Sequence, residues 1–257
     1  LCVRHYLVAR LIPEVLAIDQ TVTVVIPCRN EEGNIEPAVT RLPALGSQME
    51  VIFVEGHSSD GTWEEVERVK RLYPDLDINS IRQPGEGKGD AVRAAFERAK
   101  GDVLMILDAD LTVPPEDMPK FFEAIATGRG EFINGSRLIY GMEDQAMRFL
   151  NYLANHVFAS VFTYLMNQKL TDTLCGTKVL KRIDYERISA NREYFGDFDP
   201  FGDFDLIFGA NKLNLKVIEV PIRYANREYG TTQISRFRHG LLLLKMVVFA
   251  YLKHKAI

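Results

Sequence analysis

Two aspartates separated by a single alanine, Asp108-Ala-Asp110, follow the apolar run at residues 103–107. In extended chain, residues two apart project to the same side, so both carboxylates can address one ion. A carboxylate pair with neither His nor Cys beside it favours a hard, oxygen-seeking cation, Mg²⁺ or Mn²⁺, which completes its shell with water and substrate phosphates. A diphosphate ligand is therefore expected. The plainer alternative is that one Asp caps the next turn while the other lies at the surface. Lys88, flanked by Gly87 and Gly89 in the loop at residues 84–89, can place an ammonium on a phosphate, and the amides ahead of the following helix add donors. Its plainer alternative is a tight turn. The loop is not a Walker A sequence, because Gly89 stands where Ser or Thr would follow the Lys. It is not a dinucleotide fingerprint either, since Gly85, Gly87 and Gly89 lack the G-x-G-x-x-G interval.

The elements that must carry these groups are legible as alternating strands and helices. Residues 21–27 (TVTVVIP) form a β-branched apolar run suited to a strand buried on both faces, and residues 51–55, 78–81, 103–107 and 216–222 read similarly. Helices are expected after Asn34, after Thr62 with Trp63, Val66, Val69 and Leu72 along one stripe, and after Gly89 with Ala91, Ala94, Ala95 and Ala99. This alternation implies an α/β fold with a parallel sheet covered by helices on both faces. Ligands of such sheets sit beyond the carboxyl ends of the strands, where residues 29–31, 55–60 and 108–110 fall. Residues 145–168 read as a helix that is apolar on more than one side, and 239–255 as a terminal helix of roughly 25 Å.

Composition sets limits. The chain has 257 residues, 47% hydrophobic and 26% charged, with a net charge of −4, which excludes a disordered chain, a collagen-like repeat and a disulfide scaffold. The charge is uneven. Residues 223–257 hold seven Lys/Arg against Glu228, while the remainder is 10 charges to the acidic side. An acidic body with a basic tail argues against a nucleic-acid partner and for a local anionic one, such as a membrane surface. Cys2, Cys28 and Cys175 are scattered and suit a reducing compartment. The apolar stretch at 240–252 is about thirteen residues with Lys245 in the middle, short of the ~20 that a spanning helix needs. The chain starts with Leu1, which reads as an excised or processed piece.

Taken in order, Val25-Ile-Pro-Cys-Arg-Asn-Glu31, Val54-Glu-Gly-His-Ser-Ser-Asp-Gly-Thr62, Gly87-Lys-Gly89 and Leu107-Asp-Ala-Asp-Leu111 resemble the signature of family 2 glycosyltransferases. Gly135-Ser-Arg137, Arg148, Asp172-Thr-Leu-Cys-Gly-Thr-Lys178, Asp203-Phe-Asp-Leu206 and Val217-Ile-Glu-Val-Pro221 resemble the polyprenyl-phosphate branch of that family, the dolichol-phosphate mannose synthase type. The resemblance covers residues 21–253. It implies a GT-A fold, Rossmann-like with a mainly parallel sheet flanked by helices, and C-terminal amphipathic helices. It divides the chain into an arm or linker at 1–20, a glycosyltransferase domain at 21–222 and a basic amphipathic tail at 223–257. Pro27, Arg29, Glu31 and Glu55 would line the nucleotide, with Lys88 on the donor diphosphate and Asp108 and Asp110 on its metal. Arg137 and Arg148 would hold the acceptor phosphate, and Asp203 and Asp205 would line the sugar side. Three positions depart from the family pattern: Arg29 stands where an aromatic or small residue is common, Gly56 replaces the second acid of the usual pair, and Cys175 replaces a frequent serine. They bear on the nucleotide base more than on the reaction. The opening residues are also similar to proteins in which a methyltransferase domain precedes such a glycosyltransferase.

The implied reaction is an inverting transfer of a hexose from a GDP- or UDP-sugar to a polyprenyl phosphate, at the cytoplasmic face of a membrane. A lipid monophosphate already carries a nucleophilic oxyanion, so Arg forks that position it matter more than a general base. A hydroxyl acceptor would instead need a carboxylate base, Asp203 or Asp205; their plainer reading is a helix start. Other readings are a sugar nucleotidyltransferase, which residues 27–31 do not match, and a non-catalytic nucleotide- or lipid-binding domain, which Gly56 favours. The apolar helix at 149–165 and the tail from Arg236 suit a bilayer surface, or equally a core or homo-oligomer contact. Trp63 reads as core, and His57 and His156 as a loop and a packed or surface residue.

Overall fold

A computed structural model describes residues 19–139, 149–192, 204–227, 229–230 and 236–254. The expected arm at 1–20 lies almost wholly outside the described residues, as do Arg148 and Asp203.

Among the described residues, seven strands form one sheet: β1 (Val22–Cys28), β2 (Met49–Glu55), β3 (Asp77–Arg82), β4 (Val103–Ile106), β5 (Phe132–Ser136), β6 (Lys178–Lys181) and β7 (Val217–Pro221). Their spatial order is β3-β2-β1-β4-β6-β5-β7. The half from β3 to β4 is parallel throughout, with Val25 level with Ile52 on one side and Ile106 on the other. β6 runs antiparallel to both β4 and β5, and β7 is parallel to β5. The sheet is mainly parallel, as expected, with β6 as its antiparallel strand in the second half. Neither β5 nor β6 has the apolar run that marks a strand: β5 reads Phe-Ile-Asn-Gly-Ser, and β6 is four residues with a lysine at each end.

Helices cover both faces, and the period of two in the strands sorts their residues between them. One face takes Val22, Val24 and Ile26 of β1 with α1 (Ile35–Thr40), α2 (Thr62–Leu72) and α4 (Met118–Ala126). The other takes Val25, Ile52, Leu104 and Ile106 with α3 (Gly87–Phe96), α5 (Phe149–Met166), α6 (Arg182–Ala190), α7 (Phe204–Lys212) and α8 (Arg236–His254). In α2, Val66 and Val69 are buried, but Leu72 is half exposed, and Trp63 is only partly covered with the Arg82 guanidinium 4.4 Å from its ring. Trp63 is therefore a surface stacking platform and not core.

α5 lies against α7 and α8. Phe162 meets Phe204 and Phe208 with centroids 5.1 and 5.9 Å apart, and Phe208 stacks on Phe249 of α8 at 6.2 Å. This second apolar layer is what buries a helix too apolar for a simple sheet face. α8 turns Leu243, Met246 and Ala250 inward and leaves Leu241, Leu244, Val248 and Tyr251 at least half exposed. Among the described residues no helix is long and apolar enough to cross a membrane.

The chain runs from β1 outward to β2 and β3, then returns past β1 to form β4. The reversal opens a crevice beyond the carboxyl ends of β1 and β4, where ligands of such sheets bind.

Candidate active site

Asp108 and Asp110 stand in that crevice, but not as strand residues. β4 ends at Ile106, and the aspartates occupy the turn that follows, so the alternation of extended chain does not align them. Other contacts do. Leu111 takes a left-handed φ of +54° that apolar residues seldom hold, bending the chain sharply just past Asp110. The Thr112 amide and hydroxyl donate to Asp110 Oδ1 at 3.2 and 2.8 Å.

Lys88 pairs with Asp108 at 2.5 Å from Nζ to Oδ1. Its position differs from the expected loop: α3 begins at Gly87, whose φ is +82°, so Lys88 rides in the first helical turn. Burial alone would raise the Asp108 carboxyl; Lys88 beside it, with Lys178 and Arg137 nearby, overrides that and holds it below the usual carboxylate range. Gly176 makes the pair possible, because a Cβ there would run into both the Asp108 carboxylate and the Lys88 ammonium.

Arg227 is the main addition. Its Nη2 donates to Asp110 Oδ2 and its Nη1 to Glu31 Oε1, both at 2.7 Å. The segment after β7 carries it there: Ile222 N donates to Ser136 O, Ala225 N to Thr112 O, and the Tyr229 ring covers Gly33. Residues 223–227, which charge counting assigns to the tail, thus form part of the crevice. Glu31 is buried and also accepts from Asn34 Nδ2 at 2.6 Å. Burial raises its carboxyl above the usual range against the opposing pull of Arg227 and Asn34.

The remaining expected residues fall as follows. Pro27 pairs with Val54 within the sheet. Arg29 is exposed at the end of β1. Glu55 is buried at the end of β2 and accepts from Ser58 N at 2.5 Å. Arg137 follows β5 and forms a bidentate pair with Asp172, Nε to Oδ2 at 2.6 Å and Nη2 to Oδ1 at 2.8 Å, beside the Tyr224 ring at 5.2 Å. Burial would lower Arg137 and raise Asp172, but each overrides this for the other, so both stay charged. Asp205 belongs to a different pairing: it lies in the first turn of α7, 8% exposed, with Arg192 Nε at 3.2 Å. Cys175 is fully buried, and burial pushes its thiol up to about 12, so it is no nucleophile at neutral pH.

Sequence reasoning missed Arg227, the Asp172 partner of Arg137, and Thr112. Asp172 lies in the Asp172–Lys178 motif, but nothing in that motif says that it pairs with Arg137. Arg227 carries no local signal at all, since nothing near it in the sequence says that it returns to Asp110.

The carboxylates fit a divalent ion. They offer oxygen donors only, and each takes a cationic side chain, Lys88 or Arg227, so positive charge is favoured at both. Among the described residues there is no cluster of three or more His, Cys, Asp or Glu. An ion would therefore draw its other oxygens from phosphate and water, as Mg²⁺ and Mn²⁺ commonly do.

Comparison with known proteins agrees with this geometry. The Glycosyl transferase family 2 profile matches residues 23–188. A dolichol-phosphate mannosyltransferase from Pyrococcus furiosus is 30% identical over 240 residues, which is 91% of this chain and 62% of that protein. An undecaprenyl-phosphate 4-deoxy-4-formamido-L-arabinose transferase from Pseudomonas fluorescens is 27% identical over 237 residues, 88% of this chain and 64% of that one. The chain thus spans less than two thirds of the length of these relatives. Among solved structures, glucosyl-3-phosphoglycerate synthase from Mycobacterium tuberculosis, in complex with Mn²⁺, UDP and glucosyl-3-phosphoglycerate, superposes with a TM-score of 0.64 at 17% identity, over 98% of this chain and 86% of that one. That likeness establishes the fold, the mixed and mostly parallel GT-A arrangement.

Proposed function

The chain belongs to glycosyl transferase family 2, and from that premise we propose that it transfers a hexose, with inversion, from a nucleoside diphosphate sugar to a polyprenyl phosphate. The observation that carries this reading is the interleaving of Lys88, Asp108, Asp110, Arg227 and Glu31 at the β1–β4 crevice. Alternating cations and carboxylates suit a diphosphate and its counter-ion. The polyprenyl-phosphate acceptor is suggested by the names of the relatives above.

Asp108 and Asp110 would hold Mg²⁺ or Mn²⁺, which when bound supplies Lewis-acid neutralisation of the leaving diphosphate. Lys88 adds a second positive charge, fixed in advance by α3 and so needing no reorganisation as charge develops. Glu31, Glu55, Pro27 and Arg29, at the ends of β1 and β2, would line the nucleoside. Arg137 is oriented by Asp172, which engages Nε and Nη2 and leaves Nη1 to meet an acceptor phosphate oxygen. The phosphate is already an oxyanion at neutral pH, so the chain must position and desolvate it, with no proton to remove. A hydroxyl acceptor would need a free carboxylate base, and the pairing of Asp205 with Arg192 disfavours that reading.

The exposed stripe of α8, Leu241, Leu244, Val248 and Tyr251 at helical spacing, with Lys245 alongside, suits a helix lying on an anionic lipid surface. The enzyme would then act as a peripheral protein where its lipid acceptor resides.

The decisive experiment supplies radiolabelled UDP- and GDP-sugars with Mg²⁺ or Mn²⁺ and either a polyprenyl phosphate or water-soluble acceptors. Label that enters the lipid phase only with the phosphate is the expected result. Transfer to a hydroxyl acceptor alone would overturn the acceptor assignment.

A further inference from the structure

The parallel half of the sheet ends in a second polar feature, outside the metal cluster. Gln83 directly follows β3, and its amide donates to Glu55 O at 2.8 Å, which holds it level with the end of β2. The residue is 6% exposed. Nε2 donates to Gly87 O at 2.7 Å and to Asp90 Oδ2 at 3.2 Å. Both partners are pure acceptors, so the carboxamide cannot be flipped without facing oxygen against oxygen. Oε1 is therefore fixed on the opposite side, where it accepts no hydrogen bond among the described residues.

That oxygen points at the notch left by Gly56. A Cβ on Gly56 would lie 2.8 Å from Gln83 Oε1, with Cys28 O and Arg29 Cβ at 3.6 and 3.7 Å. A side chain at position 56 would displace the carboxamide. Glycine keeps the notch open between the ends of β1, β2 and β3. With its Nε2 hydrogens already committed, the carboxamide presents Oε1 to the crevice as a fixed acceptor that a ligand N–H can meet.

The geometry points to Gln83 as the specificity-determining reader of the donor's base: Oε1 accepts a ring N–H of a lactam-type base, uracil N3–H or guanine N1–H. Cytosine and adenine present an unprotonated ring nitrogen at that edge, which would face Oε1 as a second acceptor. This assignment rests on the nucleotide-donor reading above and extends it to the base. It also gives the departure at Gly56 a physical purpose, since the acceptor arrives from β3 instead of from position 56.

The test is equilibrium binding of UDP, GDP, CDP, ADP and inorganic pyrophosphate, each with Mn²⁺, to the wild-type protein, to Gln83→Met and to Gly56→Ala, with thermal unfolding as a check on folding. Wild type should prefer UDP or GDP over CDP and ADP, and the two-way comparison of UDP with GDP identifies which base is read. Both variants should weaken the preferred nucleotide about 10- to 100-fold and narrow its margin over CDP, while pyrophosphate binding stays unchanged. Retained discrimination in both variants, or equal losses of nucleotide and pyrophosphate, would overturn the role of Gln83. A wild-type protein that binds pyrophosphate and none of the nucleotides would reject the donor reading itself.

Discussion

Arg227 spans two carboxylates that come from opposite ends of the sheet's parallel half in sequence, donating to Asp110 and to Glu31 at 2.7 Å each. A guanidinium thus occupies the charge position that a divalent ion would take against Asp110. A metal ion drawn to Asp110 would compete with Arg227 for the same negative charge. Arg227→Gln should raise Mn²⁺ affinity in the absence of nucleotide by roughly tenfold, the size expected for one partly exposed charge-assisted bond. Titration calorimetry or Mn²⁺ electron paramagnetic resonance reads this directly; an unchanged or weaker affinity would show that Arg227 does not compete. Asp110→Asn in the same assay should lose Mn²⁺ binding.

Gly176 sits under the Lys88–Asp108 pair with no room for a methyl group. Gly176→Ala should part the two side chains without unfolding the sheet, because a lysine tip can move where backbone cannot. The expected result is turnover reduced about 100-fold, the scale of one lost electrostatic stabiliser, with a nearly unchanged melting temperature. Full activity would mean that the pair has no part in the reaction.

The Arg137–Asp172 pair is almost wholly buried, with the Asp172 side chain at 0% and that of Arg137 at 11% exposure. Removing one partner from such a pair costs about 3–5 kcal/mol, because the other charge is left behind. Asp172→Asn should therefore unfold at markedly lower denaturant. The pH dependence has a definite sign. The folded Asp172 carboxyl lies below its unfolded value of about 3.9, so its stabilisation is present above pH ~4 and disappears as pH falls through the depressed folded value. The gap between wild type and variant should be widest near neutrality and narrow below pH ~4. A gap that grows on acidification would contradict the pairing.

On α8, Leu244 and Val248 project to solvent at 56% and 58% exposure. Leu244→Glu with Val248→Glu should abolish flotation with anionic liposomes and leave thermal unfolding intact, since neither side chain is part of the core. High salt should weaken flotation of the unmodified protein through screening of the basic residues. Flotation that survives both changes would place membrane contact elsewhere.

Much of this is written locally in the chain. The β-branched runs of β1, β2 and β4 are strong because both faces of those strands are buried, and period-two sorting onto two helical layers follows from that. Asp108, Asp110 and Lys88 are legible because each follows such a strand or opens the next helix, whereas the roles of Glu31 and Glu55 rest on the family resemblance. β5 and β6 escaped, since a strand built from Asn134, Gly135, Ser136 and Lys178 is stabilised by neighbours and not by its own pattern. Asp205 shows the limit in the other direction: its place at a helix start was readable, but its Arg192 partner was not.

The sequence by itself determined the order of β1 to β4 and the helices between them, the crevice beyond their carboxyl ends, and the aspartates and lysine that face it, because these depend on short-range periodicity and on residues adjacent to strand ends. Tertiary structure alone decided that Arg227 closes on Asp110 across 117 residues, that Asp172 locks Arg137, and that Gln83 turns its oxygen toward Gly56. Those contacts join segments far apart in the chain. Their energies appear only when the fold has brought opposite charges and unmatched polar atoms within reach.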